Sequence, residues 1–300
     1  MRQKGIYSFF LLSLLVFTVA FLSLCSAQKE EETWFKRVLI TNDDGIDSPG
    51  ILELAKAFSK VAETYVIAPD QNKSGSTHYM SALRTGALKV EKRHLVEGVK
   101  AYAVDGYPAD CVLIALGGIM LDNPPDIVIS GINDGPNYGE SWIGSGTIGA
   151  ARVASFAGFP AIAVSGVDDD NRTALEAASR WVVRLAESPL FRELGEHQFL
   201  TVDIPDVPPS AIKGVRVAQR AGSIRMPVFQ LADAPSAEKE GAQEVWRMTE
   251  RREIGSPPSE DSDIALYRAG YIVIVPMRAD EHDYDLLAKL KQNPSLLPDI

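Results

Sequence analysis

From Lys36 onward the chain repeats one arrangement, in which a short apolar run gives way to a polar loop and then to a stretch with helical spacing. This repetition constrains the fold more than any other feature. Arg37–Thr41 (RVLIT), Thr64–Ala68 (TYVIA), Asp126–Ser130 (DIVIS) and Ala161–Ser165 (AIAVS) are apolar without alternation. Runs of that length and texture read as strands covered on both faces. Gly50–Lys60, Ala109–Met120 and Thr147–Ala157 carry the spacing of helices. Strand, helix, strand in this order requires crossover connections, and crossovers make parallel neighbours. The expected fold is α/β, a Rossmann-like, doubly wound and mostly parallel sheet.

The texture changes beyond about Gly195, where LTVDIP, GVRVAQR, EVWRM and GYIVIVP alternate with polar stretches such as SPPSEDSD. Hairpins explain this better than crossover helices. A core over residues 36–194 is therefore expected to carry a β-rich extension over 195–300 on the same sheet.

In an open parallel sheet, ligands bind beyond the carboxyl ends of the strands. VLIT runs into Asn42-Asp43-Asp44-Gly45, YVIAP into the loop from Asp70 to Gly75, and DIVIS into Gly131 through Asn137. All three loops should meet on one edge. Adjacent carboxylates with a hydroxyl and an amide oxygen form an all-oxygen ligand set, suited to a hard cation such as Mg²⁺ or Mn²⁺. Without a cation the repulsion between Asp43 and Asp44 would raise one pKa. The same tetrapeptide also serves as an ordinary helix cap and turn. Further along, Gly144-Ser145-Gly146-Thr147 precedes the helical pattern IGAARVASFAG. Small residues at a helix start let backbone N–H groups and hydroxyls approach a phosphate, although close packing is an equally ordinary reason for them.

Other chemistry is poorly supplied. The histidines, at positions 78, 94, 197 and 282, lack metal-ligand spacing, and Cys111 sits inside an apolar helical run as a core residue would. His78, close to Ser74, is either a pocket residue or a plain loop residue.

The first 27 residues read separately from the rest. Arg2 and Lys4 precede an uncharged apolar run from Ser8 to Leu24, and Ala27 stands before the polar QKEEE. This is the layout of a cleaved secretory signal, so export to a periplasm or the medium is expected. An uncleaved membrane anchor, lipidation at Cys25, or a cytoplasmic protein are the alternatives. Cleavage would remove two basic and no acidic residues, taking the formal charge from −10 to −12. Such a charge disfavours a polynucleotide partner.

VLITNDDGIDSPGI, APDQNKSGS, DGYPADCV, DIVISGINDGPNYG and GSGTIGAA, in this order and spacing, resemble the SurE family of metal-dependent 5′/3′-nucleotidases. SDIALYRAGYIVIVP resembles its C-terminal part, so the match runs from about Arg37 to the end. The resemblance implies one divalent cation per subunit, Mg²⁺ or Mn²⁺, held by Asp43, Asp44, Ser74 and Asn133. It implies that Asn137, Ser145, Gly146 and Thr147 contact the substrate phosphate, and that the protein is a homodimer or homotetramer. Asp43 and Asp44 are then the catalytic residues, with Asp43 orienting or deprotonating water or assisting the leaving group. Two departures stand out: Tyr107 replaces a family Thr, and His282 is offset from a tail histidine of some members, although Asp280 matches an acidic position. The implied activity is hydrolysis of nucleoside monophosphates. The alternative is an exported protein that binds nucleotide or phosphate without turnover, which would not need paired carboxylates.

Overall fold

The computed structural model describes residues 33–232 and 244–293. The signal expected over residues 1–27 lies outside the described residues. Among the described residues no helix is long and apolar enough to cross a membrane.

Strand β1 (Arg37–Thr41) leads through the Asn42–Ser48 turn into helix α1 (Pro49–Phe58). Pro49 occupies the first helical position, where its missing N–H costs nothing, and Ile51, Leu54, Ala55 and Phe58 line the buried face. Strand β2 (Glu63–Pro69) follows, then β3 (Val90–Arg93), which forms one edge of the sheet, and β4 (Lys100–Val104). Helix α2 (Pro108–Ile114) runs on as a wider π-type turn over Ala115–Ile119, where Gly117 and Gly118 weaken regular helix. The uniform helix expected over Ala109–Met120 is thus divided.

The middle of the chain supplies β5 (Ile127–Asn133), α3 (Gly146–Phe156), β6 (Ala161–Ser165), α4 (Arg172–Ala186) and β7 (Gln198–Asp203). Helix α4 was not anticipated. It buries Leu175, Ala178, Val182, Val183 and Ala186 and is capped by Asn171, whose side chain accepts from the Ala174 N–H at 3.2 Å. The last part contains β8 (Val215–Val217), β9 (Ile224–Leu231), β10 (Trp246–Ile254), α5 (Asp263–Arg268), β11 (Ile272–Arg278) and α6 (Tyr284–Gln292).

Nine strands form one sheet in the order β3-β4-β2-β1-β5-β6-β7-β11-β8. All neighbours from β4 to β7 are parallel; β3 and β11 each join antiparallel, and β8 lies parallel to β11. The expected doubly wound α/β fold is what the chain adopts. Strands β9 and β10 depart from the single sheet expected of the C-terminal part, because they pair only with each other. Arg247, Glu250, Arg251, Arg252 and Glu253 crowd β10, and its residues are exposed throughout, a composition that cannot sit in a covered layer.

Strand faces alternate as the pleat requires. Leu39, Tyr65, Ile67, Val128, Ala161 and Ala163 share a core with Cys111 and Val112 of α2 and Ile148 and Ala151 of α3. Helices α1 and α4 pack together elsewhere on the sheet. From β1 the chain moves one way to β2 and later arrives on the other side at β5, so the topological switch point lies between the carboxyl ends of β1 and β5.

The start of α1 fits closely against the end of β5. A Cβ added at Gly50 would lie 2.2 Å from the Ile132 carbonyl oxygen, which is backbone and cannot move aside. Gly50→Ala is expected to cost about 1–3 kcal/mol. A lower urea midpoint at unchanged m-value would show it.

Candidate active site

Asp43 lies two residues past the end of β1 and is 2% exposed. Its Oδ2 accepts from the Gly146 N–H at 3.1 Å, and its Oδ1 accepts a short hydrogen bond from the Thr147 hydroxyl. Thr147 Oγ1 also lies 3.1 Å from Asn133 Oδ1 at the end of β5. The ends of β1 and β5 and the first turn of α3 therefore meet on one hydroxyl. That hydroxyl has a single hydrogen for two acceptors.

Burial pushes the Asp43 carboxyl above the usual carboxylate range, against the lowering effect of the Thr147 and Gly146 hydrogen bonds. Asp44 accepts from the Asp134 N–H at 3.2 Å. Its pKa is raised to about 7, first by burial and then by the charge of Asp43. Among the described residues neither carboxylate has an ion-pair partner.

These features fit a hard divalent cation. Oxygen donors from Asp43, Asn133 and Thr147 converge with too few hydrogens, and two neighbouring carboxylates lack a positive partner. Among the described residues no cluster of three or more His, Cys, Asp or Glu could hold a metal, so a cation here would rely on the two aspartates and neutral oxygens.

The other expected residues are placed unevenly. Ser145 caps α3, its Oγ accepting from the Ile148 N–H at 3.1 Å. Gly146 has no room for a side chain, since a Cβ would lie 2.8 Å from that of Asp43. Ser74 is exposed; its N–H donates to Asn72 Oδ1 at 2.9 Å, while Asn72 Nδ2 reaches Asp44 Oδ1 at 3.5 Å. Asn137 is drawn inward, with Nδ2 donating to Ser165 Oγ at 2.8 Å and its N–H to Asp203 Oδ1 at 2.7 Å. Cys111 is fully buried. His78 is exposed and lines a cavity of about 330 Å³ with Arg152, Phe156 and Asp280. His282 packs edge-on against Tyr284.

Sequence reasoning missed two groups of supporting residues. Asp110, fully buried in α2, accepts from Ser81 Oγ at 2.6 Å, from the N–H groups of Ser81 and Tyr107, and from the Ala82 N–H at 2.9 Å. It anchors the loop that begins beside Asp43, and Tyr107 packs edge-on against Tyr79 of that loop. The proline at the start of α2 followed by an acid in its first turn was the available signal. The second group is a buried ion cluster. Arg220 donates to the Asn137 carbonyl at 2.7 Å, to Asp263 Oδ2 at 3.1 Å and to Thr201 Oγ1 at 2.7 Å. Asp263 also accepts from the N–H groups of Gly139 and Ala221. Burial raises Asp203 to about 6, a rise that Arg220 limits.

Fold and site together define a doubly wound α/β protein with an acidic, oxygen-lined ligand site at its switch point, facing a helix N-terminus. The comparisons narrow this further. The sequence model of the family described as Survival protein SurE matches residues 38–225, and the chain belongs to that family. It is 36% identical over 257 residues to the 5′-nucleotidase SurE of Desulfatibacillum aliphaticivorans, covering 85% of this chain and 97% of that protein. It is 37% identical over 251 residues to the 5′/3′-nucleotidase SurE of Edwardsiella ictaluri, covering 81% of this chain and 90% of the relative. The crystal structure of the SurE protein from Aquifex aeolicus superposes with a TM-score of 0.69 at 28% identity, covering 86% of this chain and 99% of that one.

Arg220→Ala would leave Asp263 buried without its cation. The expected loss is about 3–5 kcal/mol, read from guanidinium unfolding.

Proposed function

We propose that this protein hydrolyses nucleoside monophosphates to nucleoside and inorganic phosphate. The observation that carries this is the unpaired Asp43–Asp44 carboxylates set against the first turn of α3. A nucleotide-binding protein would need the helix start but would gain nothing from two repelling carboxylates, one buried and one half-buried. The relatives named 5′-nucleotidase and 5′/3′-nucleotidase support the same reaction.

Asp43, Asp44, Ser74 and Asn133 hold the divalent cation, Mg²⁺ or Mn²⁺, in this reading. When bound it supplies charge neutralisation and polarises the phosphoryl group. Asp43 would hold the cation from one side, while the Gly146 N–H and the Thr147 hydroxyl on the first turn of α3 would be the donors offered to phosphoryl oxygens. The dipole of α3 favours the charge that develops there. Ser145 caps that helix start by accepting from the Ile148 N–H, and Asn137 is a further phosphate contact in this reading. Asp43 also orients the attacking water.

Export, supported by the pattern of residues 1–27, would put the reaction outside the cytoplasm, where it would release nucleoside for uptake. A homodimer or homotetramer is supported by Phe229, Trp246 and Met248, apolar and exposed on the β9–β10 ribbon.

Phosphate release from a panel of nucleoside monophosphates, with Mn²⁺ or Mg²⁺ and with EDTA, tests the proposal. Metal-dependent release that falls at least about a hundredfold in Asp43→Asn is expected. A folded protein that binds cation and nucleotide but releases nothing would favour the binding protein. The carboxylates also have a cost in stability. Because the Asp44 pKa is raised, the folded state holds a proton that the unfolded state has lost between about pH 4 and pH 7. Stability without cation therefore falls as pH rises through that window. Asp44→Asn should lessen that fall and raise stability in EDTA at pH 8 by on the order of 2 kcal/mol, while abolishing activity.

A further inference from the structure

Ser76 stands outside the residues assigned so far, yet its hydroxyl is buried and, among the described residues, has no hydrogen-bond partner. Its position is close to the chemistry. The point where a Cβ on Gly146 would stand is 2.7 Å from Ser76 Oγ and 2.9 Å from Asp43 Oδ2. Ser76 and Asp43 thus flank the same spot on the first turn of α3, where glycine lets both approach the helix backbone.

The hydroxyl is held there by its backbone. Lys73 N–H donates to the Asp43 carbonyl at 2.6 Å, and Thr77 N–H donates to the Gly144 carbonyl at 3.0 Å. The Thr77 carbonyl is seated against Gly149, where a Cβ would come within 2.1 Å of it. Tyr79 N–H closes the turn by donating to the Ser76 carbonyl at 3.1 Å.

A buried hydroxyl without a partner destabilises the free protein, and a group fixed in that state marks the place of a missing partner. A helix N-terminus favours an anionic one. We propose that Ser76 Oγ donates a hydrogen bond to a phosphoryl oxygen of the substrate, as a further phosphate-binding residue. The proposal rests on the phosphomonoesterase reading of the site.

The test is Ser76→Ala in the whole protein, with three readouts: melting temperature without ligand, affinity for inorganic phosphate in the presence of Mn²⁺, and kcat/KM for a nucleoside monophosphate. The expected result is a melting temperature unchanged or raised, since an unsatisfied hydroxyl is removed. Phosphate affinity and kcat/KM should both fall about ten- to a hundredfold, as for a lost hydrogen bond to a charged group. A lowered melting temperature with phosphate affinity intact would mean that the hydroxyl serves the fold, and would overturn the proposal. So would affinity and kcat/KM within twofold of the parent. If the parent protein itself bound no phosphate and released none, the phosphomonoesterase reading would fall along with the Ser76 assignment, whereas an unaffected variant of an active parent overturns Ser76 alone.

Discussion

The contact between the Asp43 carboxylate and the first turn of α3 is the constraint on which the site depends. A charge-bearing group at the end of a central strand would ordinarily be left in water. Here it is enclosed, and the Gly146 N–H and the Thr147 hydroxyl take the place of solvent. That substitution requires a helix start without a side chain at 146 and an adjacent strand that brings Asn133 to the same hydroxyl. Each requirement is local, but they are met by three segments whose only common address is the reversal of strand order between β1 and β5.

Much of this was legible in the sequence because it is written in short patterns. Arg37–Thr41 and Ala161–Ser165 form strands over the expected bounds, and α1 and α3 begin within a residue of where their spacing places them. The rule that ligands gather beyond the carboxyl ends of parallel strands was enough to bring Asp43, Asp44 and Asn133 into one neighbourhood. What the patterns did not contain was the far partner. Asp110 binds Ser81 across 29 residues of chain, and Arg220 binds the Asn137 carbonyl across 83, so neither role leaves a periodic trace. Helix α4 was overlooked although its pattern was legible, since Leu175, Ala178, Val182, Val183 and Ala186 recur at helical spacing.

The supporting residues also show how a rigid site is assembled from weak parts. The loop beginning at Asp70 has little regular structure, yet it is fixed to the Asp43 carbonyl at one end and to Asp110 at the other. Asp110 is itself immobile because α2 packs into the main core through Cys111 and Val112. Order in the loop is therefore borrowed from the core and not generated by the loop.

The Arg220 cluster has a consequence for the integrity of the chain. Arg220, Asp263 and Asp203 all lie beyond residue 195, yet they hold the backbone of Asn137 and Gly139, which follow β5. The later third of the chain thus supports the segment that follows β5 and is not an appendage to the core. A shortened protein ending after β6 would keep both aspartates and the helix start, but it would expose Asn137 and Ser165 to solvent. Gene fusions, circular permutations or split versions of this protein would for that reason have to keep the two parts in register before either could hold a substrate.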